Sequence, residues 1–154
     1  MAKYLKSDIK EFKNVFHIAD IHLRLTKRHD EYVQVFERLY KAIEKTPTET
    51  VVAVLGDVLH SKSDLSPECV KITTEFLQNL ADRRPTVLIA GNHDATLANK
   101  NRLDSLSPIV DAINHKNLFY LKESGLYILG DILDRKSTRL NSSHIPLSRM
   151  PSSA

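Results

Sequence analysis

Short continuous apolar runs alternate along this chain with stretches whose apolar positions recur every three or four residues. Val15-Phe16-His17-Ile18-Ala19 is short and mostly apolar, which predicts a buried strand. From His29 to Lys45, Tyr32, Val33, Phe36, Leu39, Tyr40 and Ile43 form one stripe. That spacing predicts an amphipathic helix, ended by Thr46-Pro47. Val51 to Leu55, rich in β-branched residues, predicts a second strand. Ser66-Pro67 reads as a helix cap followed by proline in the first turn, with Cys69, Ile72, Phe76 and Leu80 lining one face down to about Asp82. Thr86 to Ala90 predicts a third strand. Ser107-Pro108 repeats the cap signal before a short helix to about Asn114, and Leu118 to Leu121 and Leu126 to Leu129 predict further strands.

This alternation predicts an α/β fold, a mostly parallel sheet with flanking helices and both faces covered. At 154 residues the chain suits one domain. With 42% hydrophobic and 27% charged residues, collagen-like, disulfide-rich and wholly disordered classes are excluded. The longest aliphatic runs, Val51 to Leu55 and Val87 to Ala90, are far short of the roughly 20 residues of a membrane span. Met1 to Lys13 lacks the apolar stretch of a signal peptide. No membrane partner and a cytoplasmic location are therefore expected. Cys69, the single cysteine, cannot pair internally and reads as a small buried thiol. His17 alternates out of phase with Asp20 and reads as a packed core histidine.

The net charge of +3 invites a nucleic-acid reading, but its distribution removes the argument. Arg135, Lys136, Arg139 and Arg149 are opposed only by Asp134, which leaves 18 bases and 18 acids before them. Residues 134–154 also turn serine-rich and lose hydrophobic periodicity. Asp134 to His144 and Ser148 to Ala154, either side of Ile145-Pro146-Leu147, resemble the translation of a common sequencing-library adapter in one frame. The expectation is a domain over residues 1–133 and a disordered, non-native tail over 134–154.

Polar clusters follow each of the first three predicted strands: Asp20-Ile21-His22, Gly56-Asp57-Val58-Leu59-His60 and Gly91-Asn92-His93-Asp94. In open parallel sheets, ligands bind beyond the carboxyl ends of the strands, so three such clusters can converge on one point. On an extended backbone Asp20 and His22 project the same way and can share a cation. Asp57 can bridge to a second cation, and Asn92 offers an amide oxygen. Carboxylate, imidazole and amide donors without thiolate suit manganese, with iron or zinc as alternatives. Gly56 and Gly91 allow sharp turns. Taken singly, each cluster is a common turn or cap. Their order, each at a strand end, favours a metal site.

Asp-x-His, Gly-Asp and Gly-Asn-His-Asp match the first three signatures of calcineurin-like metallophosphoesterases. HIADIHL, GDVLHS and GNHD followed by RLDSLSPI resemble the SbcD-type DNA-repair nuclease subunits, phage and viral relatives included. The resemblance implies two divalent ions, manganese first, held by Asp20, His22, Asp57 and Asn92. It implies that His93 faces the phosphate with Asp94 orienting its ring, and that His60 lies beside the substrate. A surface histidine at a helix start remains the alternative for His60. Two such cations would activate a water for in-line phosphodiester hydrolysis. Implied partners are DNA ends and an SbcC-type SMC-like ATPase subunit, and a homodimer is also compatible. Arg24, Lys27, Arg28, Lys62, Lys100 and Arg102 follow the motifs as phosphate contacts or as solvated loop charges.

The chain departs from the family pattern after Asp94. His115 and His144 are the remaining histidines, and neither stands in a Gly-His-x-His signature. The expectation is a truncated N-terminal part of the sandwich, poorly soluble, weak in metal binding and lacking nuclease activity by itself. Two further readings stay open: a phosphoesterase of nucleotides or small phosphodiesters, and a non-catalytic scaffold.

Overall fold

A computed structural model describes residues 2–95, 103–130 and 132–136. Ten elements follow in order: β1 (Lys3–Tyr4), β2 (Asn14–Ile18), α1 (His29–Glu44), β3 (Thr50–Leu55), α2 (Pro67–Arg83), β4 (Thr86–Ile89), α3 (Ser107–Ile113), β5 (Leu118–Tyr120), β6 (Gly125–Leu129) and β7 (Ile132–Lys136). The α/β expectation holds, and the predicted strands and helices fall within a residue or two of these bounds.

Strands β2-β3-β4-β5 form a parallel sheet in sequential order. Sequential order with crossovers of one hand puts every connecting helix on one face. Accordingly Phe36, Tyr40 and Ile43 of α1, Cys69, Phe76, Leu77 and Leu80 of α2 and Ile109 of α3 pack with Val52, Val54 and Leu88 in one core. The expected cover on both faces is present, but its second layer is a sheet. Strands β1-β6-β7 make it, with β6 antiparallel to β7. Tyr127 and Leu129 of β6 meet Val51, Val87 and Leu121 there in a smaller core.

Three local readings need correction. His17 is exposed, because alternation points it to the incompletely filled side between the sheets. It lines a cleft of about 360 Å³ with Val15 and Leu55, which stay 42% and 40% exposed. The cap of α3 comes from Asp104, whose carboxylate accepts from Leu106 N and Ser107 N at 3.0 and 2.7 Å; Ser107 is already helical. Burial opposes ionisation of Asp104, yet the hydrogen bonds from Ser107 and Tyr120 outweigh it and hold the carboxyl below its usual range. Val33 of the α1 stripe is 43% exposed.

The Ser66 cap is as read: its Oγ accepts from Cys69 N at 3.1 Å and donates to Leu25 O at 2.6 Å. Cys69 is buried and free, and burial pushes its thiol pKa up. Strand β7 carries Asp134 to Lys136, three residues past the compositional boundary at Leu133. Residues 137–154 of the adapter-like tail lie outside the described residues. No helix among the described residues is long and apolar enough to cross a membrane.

Candidate metal centre

The three polar clusters meet beyond the carboxyl ends of β2, β3 and β4. Parallel-strand register carries on past the strands: Asp20 N donates to Gly56 O at 3.3 Å, His22 N to Asp57 O at 2.9 Å and Leu23 N to Val58 O at 2.8 Å. The first loop thereby lies alongside the second. Tyr32 of α1 ties the first loop down from the helix side, its hydroxyl donating to His22 O at 2.9 Å. Tyr32 belongs to the apolar stripe, so its polar tip was the one signal that it also positions the site.

Asp20, His22 and Asp57 each offer a donor atom, and these atoms lie within 4.8 Å of one another. His22 Nε2 is 3.8 Å from Asp20 Oδ1. The pair converges by a different route from the extended backbone expected. Asp20 and His22 have φ of 54° and 50°, and Asp57 has 51°. Three non-glycine residues in the left-handed region, each at about 1–3 kcal/mol, cluster where carboxylates and imidazole converge, as stored strain does at functional sites.

The glycines act in two ways. Gly56, with φ of 95°, makes a turn that other residues resist. Gly91 is needed for space, since a Cβ there would stand 2.1 Å from Asp57 Oδ1 and 2.4 Å from Asp57 N. His93 N donates to that same Oδ1 at 2.9 Å. Asp57 is thus clamped between two turns, with no hydrogen bond to its second oxygen among the described residues.

The role expected for Asp94 needs correction. Its carboxylate does not orient the His93 ring. It is 0% exposed and accepts from Leu59 N, Gly91 N and Val58 N at 2.9, 2.9 and 3.3 Å. Asp94 therefore staples the second cluster to the third. Burial pushes its carboxyl up, those three donors pull it down, and the charge of Asp57 pushes it up again. The ring of His93 is held by the main chain, with Nδ1 2.8 Å from His60 O. A carbonyl only accepts, so Nδ1 is the donor in this contact.

His60 is exposed and its ring stacks 5.8 Å from that of His93. Asn92 lies exposed in the turn between Gly91 and His93. Arg28 pairs with Glu31, at 2.6 and 2.8 Å. Lys100 and Arg102 lie outside the described residues.

The donors fit a divalent cation. Among the described residues Nδ1 of His22 is buried without a hydrogen-bond partner, while Nε2 stands 3.8 Å from Asp20 Oδ1; an unsatisfied ring nitrogen of this kind is what a cation would satisfy. Carboxylates, imidazoles and an amide suit the harder divalent ions, and the thiol of Cys69 points elsewhere, toward Leu23 O.

The calcineurin-like phosphoesterase profile matches residues 13–145. The chain belongs to this family. The family's chemistry is metal-dependent phosphoester hydrolysis, and Asp20, His22 and Asp57 are the candidate ligands for its divalent cations. The chain is 47% identical over 127 residues to "Uncharacterized protein R555" of Acanthamoeba polyphaga mimivirus, covering 80% of this chain and 9% of that protein. It is 30% identical over 81 residues to "Putative phosphoesterase 078R" of Invertebrate iridescent virus 3, covering 53% of this chain and 23% of that one. The chain thus spans a tenth to a quarter of the length of these curated relatives. Both are viral proteins.

Proposed function

We propose that the chain carries the first ligands of a manganese-dependent phosphodiesterase site acting on DNA ends, in the manner of an SbcD-like nuclease subunit working with an SMC-like ATPase. The observation behind it is the convergence of Asp20, His22 and Asp57, with His93 beside them, at one end of the parallel sheet. The nuclease branch rests on His60-Ser61 after motif two, Asp94 after Gly-Asn-His, and the RLDSLSPI segment. Viral relatives fit a host cytoplasm as the working compartment.

Cations held by Asp20, His22, Asp57 and Asn92 would neutralise phosphoryl charge and make a water nucleophilic near neutral pH. The chain's own residues do the rest. His93 N–H holds the Asp57 carboxylate, and the missing side chain of Gly91 leaves it room. The His60 carbonyl holds Nδ1–H of His93 and leaves Nε2 for the substrate side; protonated there, it would donate to a phosphoryl or leaving oxygen. Asp94 holds the two turns in register as a positioning residue.

The test uses the product of the complete reading frame from source DNA. It is expected to release nucleotides from duplex ends with manganese. Asp57→Asn should lower that rate at least 1,000-fold, an expected scale for losing a shared cation ligand. His93→Asn should lower the rate about 100-fold or more while manganese binding persists. Turnover confined to nucleotide-sized phosphodiesters would replace the DNA reading. Manganese binding without any hydrolysis would leave a scaffold.

A further inference from the structure

Three imidazoles meet at this site, and the hydrolytic reading uses only one of them as a cation ligand. His22, His60 and His93 each offer a ring nitrogen, and the three nitrogens lie within 4.8 Å of one another. The ring centroids are 5.7, 4.7 and 5.8 Å apart for the pairs His22–His60, His22–His93 and His60–His93. Metal–nitrogen bonds of about 2.0–2.1 Å at tetrahedral angles place imidazole centroids about 5 Å apart. The rings already stand near that spacing, and binding one ion requires the His60 and His93 rings, now 19° from parallel, to turn toward it.

Two details prepare the trio. Nδ1–H of His93 is spent on the His60 carbonyl at 2.8 Å, which leaves Nε2 as the ligand atom. Metal-bound histidines commonly hold their second nitrogen this way. His22 contributes a buried nitrogen that has no hydrogen-bond partner among the described residues. The set contains no carboxylate, which favours a borderline ion such as zinc over a hard one such as manganese.

We propose that His22, His60 and His93 form a three-imidazole zinc site that shares His22 with the carboxylate group. Because His22 cannot serve both, zinc and manganese compete at this centre. Zinc in the trio also withdraws His60 and His93 from any phosphate. The site is therefore inhibited by the ion its histidines prefer.

Cobalt(II) serves as the spectroscopic stand-in for zinc, titrated onto the purified 154-residue chain. The expected result is the intense visible absorption of a four-coordinate, nitrogen-bound ion, abolished on adding zinc. His60→Gln and His93→Gln should each remove the band and weaken zinc binding at least tenfold. His60 is exposed, so its variant should keep the parental melting temperature. Asp20→Asn, at a side chain 74% exposed, should keep the band. A band that survives in both histidine variants overturns the proposal. So does a band lost in Asp20→Asn, which would mean a mixed carboxylate site.

Discussion

Asp94→Ala is expected to destabilise the fold by about 3–5 kcal/mol, a third or more of what a domain of this size usually has. The carboxylate is wholly buried and accepts three main-chain N–H groups, from Val58, Leu59 and Gly91. Alanine leaves those donors buried without acceptors, at about 1–3 kcal/mol each with incomplete additivity. No water-exposed rearrangement relieves them, because Val58, Leu59 and Gly91 are themselves buried. Asp94→Asn should fall between parent and alanine: one oxygen remains, but its amide N–H₂ faces other donors. Urea denaturation checks this, with a lower midpoint at unchanged slope as the expected signature. A parental midpoint for Asp94→Ala would refute the staple.

Gly91→Ala is expected to abolish the centre by a different route. The added Cβ would meet Asp57 Oδ1 at 2.1 Å and Asp57 N at 2.4 Å, well inside contact distance. Asp57 cannot retreat easily. Its backbone sits at φ of 51°, its carboxylate is held by His93 N–H, and its carbonyl accepts from His22 N. One methyl group therefore moves the residue that all three turns share. We expect manganese affinity to fall at least 100-fold and stability to fall by about 1–3 kcal/mol. Gly125→Ala is the internal control. A Cβ there meets only Tyr127 Cε2, at 3.7 Å, so little should change. Equal manganese affinity in parent and Gly91→Ala would show that Asp57 does not sit where the centre needs it.

These two residues also mark what the sequence could and could not reveal. Strand and helix positions were legible because core burial imposes period: Val51 to Leu55 and the α1 stripe have no other way to hide their apolar faces. The meeting of Asp20, His22 and Asp57 as candidate ligands was legible because residue type and strand-end placement are enough to suggest metal binding. The backbone that joins them was not. A two-residue spacing suggested extension, but the loop reaches the same convergence with both residues left-handed. Asp94 looked like a partner of its neighbour in sequence. Its partners are main-chain groups up to 36 residues away, which no local pattern encodes. That a second sheet covers the other face was not legible, because sequence order says nothing about which layer closes a sandwich. Strands β1 and β7 were missed for the same reason: β1 has two residues and both elements exist only through pairing with β6.

The central claim is that the three strand-end turns hold a divalent cation through Asp57. Manganese binding to the purified 154-residue chain, followed by electron paramagnetic resonance, tests it most directly. The account predicts weak but saturable binding that Asp57→Asn lowers at least tenfold. Asp8→Asn serves as control. Asp8 is a 94% exposed carboxylate in a groove with Thr48, Pro85 and Asn117, at the other end of the strands, and its loss should leave the affinity unchanged. Binding that is absent in the parent, or equal in parent and Asp57→Asn, would contradict it.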